Sequence, residues 1–157
     1  MRNSVIIRSA LICGVLAVAG YMYVMARSSL AMDRESSAFA MNTVVAVGAH
    51  WDPAELWQRA TPHFREQITQ DALRAQLDAA NDRLGPMTES LAIAGRTSSL
   101  IVPTSAPPSA DYIVRSAFAK GEADIVVHTV KTGTGWAIDS FSIGASPEMR
   151  KLLGLQG

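Results

Sequence analysis

Few side chains in this chain can do chemistry, and their spacing matches no standard signature. The three histidines are His50, His63 and His128. His50 adjoins Trp51 just ahead of a helix-capping residue and reads as a local contact. His63 falls in the first turn after Pro62 and reads as solvent-facing. His128 lies inside a strand-like run, and Asp139 lies in the run that follows. A histidine oriented by a carboxylate can accept and return a proton near neutral pH, so His128 and Asp139 are the candidate catalytic residues. Whether they meet depends on register. A four-residue hairpin loop sets Lys131 against Trp136 and His128 against Asp139. A five-residue loop turns Asp139 to the other face, because one residue of slip inverts every side chain. Tyr112, Arg115, His128 and Trp136 are the candidate lining of a ligand pocket, with core or rim packing as the plainer role for Tyr112 and Trp136. Arg115 and Asp124 read as diagonal neighbours in a hairpin, forming an ion pair of little energetic value.

The sequence lacks the spacings that mark common sites. It has no HExxH or CxxC for zinc, no P-loop, no GxSxG and no GxGxxG. No metal or cofactor is therefore expected. The chain holds 14 basic and 14 acidic residues, for a formal net charge of zero. That balance argues against a nucleic-acid partner, which needs a basic face. The single cysteine, Cys13, lies near the N-terminus, so the rest of the chain can form neither a disulfide nor a thiolate metal site.

Ahead of all candidate residues runs an uncharged apolar stretch, Ser9 to Ala26. At about 1.5 Å per residue, a helix of that length nearly crosses a hydrocarbon core of roughly 30 Å. Residues 1–8 then read as a basic cytoplasmic leader and residues 9–26 as a transmembrane signal anchor. The expected location is the inner membrane, single-pass, with the following domain periplasmic or otherwise extracytoplasmic. A signal peptide cleaved to give a secreted domain is the alternative.

The remaining chain must supply the elements that position the candidates. Residues 27–37 read as a polar tether. Ser37 to Gly48 is apolar and reads as a helix, with a strand as the alternative because of Thr43-Val44-Val45. Asp52-Pro53 and Thr61-Pro62 are helix starts, each pairing an N-cap with a proline in the first turn. Thr69 caps a helix from Gln70 to Leu84, with Leu73, Leu77, Ala80 and Leu84 on one stripe and Gly85-Pro86 as the stop. Thr88 to Thr97 suits a strand, and residues 97–109 form a loop rich in Ser, Thr and Pro. Three strands follow: Tyr112 to Ala119, Glu122 to Val130 and Trp136 to Ile143. Pairing Ala119 with Glu122 puts Tyr112, Val114, Ser116 and Phe118 on one face with Ala123, Ile125, Val127 and Thr129. That face should pack on helices carrying Leu56, Leu73 and Leu77. A short C-terminal helix and tail occupy residues 146–157. Helices followed by an antiparallel meander make an α+β domain over residues 38–145.

Trp51-Asp52 at a helix start, Leu84-Gly85 at a helix end, Gly135-Trp136-Ala137-Ile138 and Phe141-Ser142-Ile143 together resemble the NTF2-like superfamily, in particular its small exported or membrane-anchored domains of unknown function. The resemblance spans roughly Phe39 to Ala145. It implies a cone of helices on a curved antiparallel sheet around a hollow. Members of that superfamily act as enzymes, ligand binders, dimerisation modules or secretion-system scaffolds, so the fold alone does not select a function. The first expectation is a non-enzymatic, membrane-anchored module that binds an unidentified protein or a second copy of itself. The alternatives are a ligand binder or isomerase-like enzyme using the hollow, and a structural component of a membrane-spanning secretion complex.

Overall fold

The computed structural model describes residue 27, residues 29–98 and residues 106–144. The chain divides into two units, Met1–Met32 and Asp33–Gly157. The described residues of the first, 27 and 29–32, are helical. The second opens with helix α1, residues 33–50, so the expected tether is helical over residues 33–37. Its buried positions Ser36, Ala40, Thr43, Val44 and Val47 recur at helical spacing, which selects helix over the β-branched strand alternative.

Three further helices begin where the capping signals place them. Helix α2, Pro53–Arg59, starts at Asp52, whose carboxylate accepts the Ala54 N–H at 2.9 Å. Helix α3, Pro62–Gln67, starts at Thr61, whose hydroxyl accepts the Phe64 N–H at 3.0 Å. Helix α4, Gln70–Leu84, starts at Thr69 and buries Leu73, Leu77 and Ala80. It stops at Gly85, whose positive φ of 71° suits a residue without a Cβ and lets its N–H reach the Asn81 carbonyl at 2.7 Å.

The four strands are β1 (Met87–Ser98), β2 (Ser109–Phe118), β3 (Gly121–Thr132) and β4 (Gly135–Ile143). They form one antiparallel sheet in the order β1-β2-β3-β4. The central β2–β3 ladder is unbroken from Ser109↔Val130 to Phe118↔Gly121. Its turn is Ala119-Lys120, two residues of pairing away from the register expected from sequence. A two-residue shift preserves faces, so the expected core face is retained. β1 carries register shifts at Met87/Glu89 and Ser90/Ala92, and the β3–β4 pairing carries one at His128/Thr129.

The core lies on the face that carries Tyr112, Val114, Ser116 and Phe118. Leu56, Leu73, Leu77, Ile125, Val127 and Ile138 are all at most 2% exposed. Tyr112 Oη lies 2.6 Å from the Ser36 hydroxyl on α1. Trp51, just past α1, stacks on Phe118 at 5.4 Å and donates its indole N–H to the Gly85 carbonyl at 2.8 Å. These contacts tie α1, the end of α4 and the sheet together. The Ser116 hydroxyl is buried on the same face without a hydrogen-bond partner among the described residues. A buried hydroxyl left unpaired costs about 1–3 kcal/mol, and removing it relieves that cost. Ser116→Ala should therefore raise the unfolding free energy, by about 1 kcal/mol in urea titration; a loss of stability would show that the hydroxyl is satisfied.

The α+β class is thus observed, but the membrane-spanning part of the expectation is not. No helix among the described residues is long and apolar enough to cross a membrane. Helices α2, α3 and α4 have 7, 6 and 15 residues, and α1, though longer, opens with the charged run Asp33-Arg34-Glu35, whereas a span needs about 20 predominantly apolar residues. This corrects the reading of a single-pass inner-membrane protein with a signal anchor and a periplasmic domain. The stretch 9–26 that suggested it lies outside the described residues, as do the 1–8 leader and the 146–157 segment. The loop expected over 97–109 is shorter, because β1 runs to Ser98 and residues 106–108 lead directly into β2; residues 99–105 lie outside the described set.

Candidate functional site

Two histidine–aspartate pairs are present, and neither is the expected one. Lys131 does face Trp136, as the four-residue loop requires. The ladder then slips by one residue: Thr129 pairs with Ile138, but His128 pairs with Ser140. Asp139 is the extra residue of this bulge. A bulged residue re-aims its side chain and bends its strand, and here Asp139 meets α3 instead of His128.

Around Asp139 the contacts are closed. Its Oδ1 accepts the Thr61 hydroxyl at 2.6 Å, and both carboxylate oxygens lie 3.2 Å from His63 Nδ1. The other ring nitrogen of His63 lies 2.9 Å from the Gln67 amide nitrogen. Alongside, the Thr61 N–H donates to the Ile138 carbonyl at 2.8 Å, and Ala60 bridges to Ile138 in parallel fashion. Both imidazole nitrogens are engaged, and the threonine hydroxyl already donates to the carboxylate. The cluster holds the start of α3 against β4; it does not present a base to a substrate.

The second pair is built by the central ladder. Asp111 on β2 stands directly opposite His128 on β3, and its Oδ1 lies 2.7 Å from His128 Nδ1. The Asp111 carboxylate raises the His128 pKa above its ordinary 6.5, first through this hydrogen bond; partial burial opposes it, and the charges of Asp111 and then Asp139 add to it. No hydrogen bond to His128 Nε2 is made by any described residue, so Asp111 orients the ring and leaves its second nitrogen available. The pair belongs to a row running across all four strands: Arg96, Asp111, His128 and Ser140 stand in register. Arg96 and Ser140 are exposed. Arg96 makes no ion pair or hydrogen bond with any described residue.

The next row on this outer face is Ala94, Ile113, Val126 and Ser142, of which Ile113 and Val126 are buried. Beyond it, Arg115 Nε donates to Asp124 at 3.0 Å. The two residues are directly opposite, where the sequence suggested a diagonal. The buried Asp124 carboxylate raises the Arg115 pKa.

The four candidate pocket residues do not converge. Tyr112 is buried on the helix-packed face, held by Ser36. Trp136 is buried at the start of β4, with the Lys131 ammonium 5.3 Å from its ring centroid. That ammonium also meets Glu35 on α1 at 2.6 Å and lowers the Glu35 pKa. Arg115 and His128 lie on the outer face. Among the described residues no group of three or more His, Cys, Asp or Glu could hold a metal ion.

Sequence reasoning missed Asp111 and Arg96. The signal for Asp111 lay in the hairpin turn: placing it at Ala119-Lys120 instead of Lys120-Gly121 brings Asp111 opposite His128, whereas the place of Arg96 depends on the separate β1–β2 register. The bulge at Asp139 left no comparable mark in the sequence.

No family model matches this chain, and no curated protein matches it. Among solved structures it is similar to the solution structure of a SEC-C motif containing protein from Rhodopseudomonas palustris, with 14% sequence identity and a TM-score of 0.38, over 78% of this chain and 86% of that one.

Proposed function

We propose that this domain is a non-enzymatic protein-interaction module, built on an NTF2-like arrangement of helices and meander, that meets its partner through the outer face of its sheet. The observation that supports it is the row Arg96–Asp111–His128–Ser140. It offers, among the described residues, an exposed cation without a counter-ion and a histidine nitrogen with no bond, both on the outer face of the sheet. The alternative of an acid–base enzyme using a hollow draws no comparable support. Tyr112 and Trp136 lie on the helix-packed side, away from His128, and the His63–Asp139 pair is engaged on both ring nitrogens.

The test is photo-crosslinking in the cells of origin. A benzophenone side chain at position 140 should give a discrete adduct larger than the chain. The same group at position 75, exposed on α4, should not. Equal adducts from both positions, or none from position 140, would overturn the reading. So would a His128→Ala variant that loses the cellular role while keeping its fold and its adduct, which would place the role in proton transfer instead.

A further inference from the structure

We infer that residues 145–157 turn back from the end of β4 and cover the apolar centre of the sheet's outer face, seating Met149, Leu152 and Leu153 on Ile113 and Val126. The inference goes beyond the interaction-module reading and does not depend on it. It assigns an occupant to the part of that face next to the row Arg96–Asp111–His128–Ser140.

The first observation is burial that no described element supplies. Ile113 is 2% exposed and Val126 is 7% exposed, and the two stand opposite each other on the outer face. The described helices are tied elsewhere: α1 to Tyr112, the turn after it to Phe118 and Gly85, and α3 to Asp139. Asp124, in the next pair along this face, is 4% exposed, yet its partner Arg115 keeps 49% of its side chain open to water. An arginine that exposed does not shield a carboxylate unaided. A sheet face becomes dry when a second layer packs on it.

The second observation is where the burial is greatest. The outer-face pairs of β2 and β3 run Arg115–Asp124, Ile113–Val126, Asp111–His128, Ser109–Val130. Buried residues occur in the first two pairs and in neither of the last two. Residues 99–105 connect to the open end, between Ser98 and Ala106. The strand β4 delivers Gly144 to the buried end, where its N–H donates to the Asp124 carbonyl at 2.6 Å. Gly144 has a φ of +95°, which lets the chain leave the strand direction there. Residues 145–157 therefore start beside the buried patch, and residues 99–105 do not.

The third observation is the sequence of the segment. Ser146-Pro147-Glu148 pairs a helix cap with a proline. Met149, Leu152 and Leu153 follow at i, i+3 and i+4, with Arg150 and Lys151 off that stripe. A helical path from Pro147 to Leu153 rises about 9 Å. Successive outer-face pairs are about 7 Å apart along the strands. The stripe thus spans the step from the Asp124 pair to the Ile113–Val126 pair, and the His128 row beyond it stays open to a partner.

The experiment is methyl NMR of the full-length chain labelled at Ile, Leu and Val. The expected result is nuclear Overhauser contacts from Leu152 and Leu153 to Ile113 and Val126, present within one copy in a sample that mixes labelled and unlabelled chains. A second measurement reads the cover by its removal. In a Cys13→Ser background, Val126→Cys should react slowly with a maleimide. Adding Leu152→Asp and Leu153→Asp should speed that reaction at least about tenfold, as expected when the burial of two leucines is lost, with the near-ultraviolet dichroism of the tryptophans unchanged. Contacts to Ile113 and Val126 from residues 99–105 or from residues 1–26 instead would overturn the inference. So would contacts made only between copies, or a labelling rate indifferent to the double substitution. Should Val126→Cys fail to fold, the methyl contacts decide. The adduct at position 140 tests the partner reading separately.

Discussion

Leu77→Ala should lower the unfolding free energy by about 2–5 kcal/mol, the range for truncating a buried leucine. The side chain is 1% exposed and sits in the centre of the α4 stripe, between Leu73 and Ala80. Both of those neighbours are also buried, so the surroundings have little freedom to collapse into the space left behind, and the cavity cost adds to the lost transfer energy. The loss should show in urea as a lower midpoint with an unchanged slope. Val127→Ala, on the sheet side of the same core and fully buried, should act in the same direction. A loss below about 1 kcal/mol for Leu77→Ala would mean that α4 turns a different stripe inward.

Gly95→Ala should cost about 2–4 kcal/mol, from two separate faults of a kind that each run to about 1–3 kcal/mol. Gly95 adopts a φ of +149°, a region closed to residues with a Cβ. A Cβ built there would overlap the Asp111 carbonyl oxygen and lie 2.7 Å from Tyr112 Cδ1. Both neighbours are on β2, and the obstructing oxygen is backbone, so relief requires β1 to move away from β2. That movement would fall next to Arg96 and its register partner Asp111. The variant should accordingly lose stability and also displace the Arg96 and Asp111 amide signals in a 15N spectrum. A stable variant with unmoved signals there would show that β1 does not approach β2 this closely.

Local chemistry made much of this fold legible. Asp52, Thr61 and Thr69 announce helix starts because a short polar side chain ahead of an apolar run has free N–H groups to accept. The α4 stripe and its Gly85 stop follow from periodicity. The alternation along β2 and β3 identified the packed face even though the turn was misplaced by a residue at each end. The site was less legible, because it depends on which residues face each other across strands. His128 was recognised as a chemical group, but its partner was not: one bulge moved Asp139 to His63 and Thr61, and one turn moved Asp111 into its place. The apolar stretch 9–26 illustrates a different limit. Composition alone suggested a membrane span, and none of the described helices has that character.

The distribution of irregularities across the sheet has a colloidal consequence. The inner ladder of β2 and β3 is regular, and every register shift involves an outer strand, two in β1 and one in β4. On those strands, backbone groups are also taken by side chains or loops: the Thr97 N–H by the Asp33 carboxylate at 3.0 Å, and the Ile138 carbonyl by the Thr61 N–H. A flat strand edge with free N–H and C=O groups is a template for adding the next chain, the first step toward a fibril. Here each edge carries a bulge and an occupied backbone group, which limits the straight run a second molecule could copy, on β1 to residues 92–98. The same bulge that separates Asp139 from His128 thus helps keep concentrated copies of the domain from zipping together.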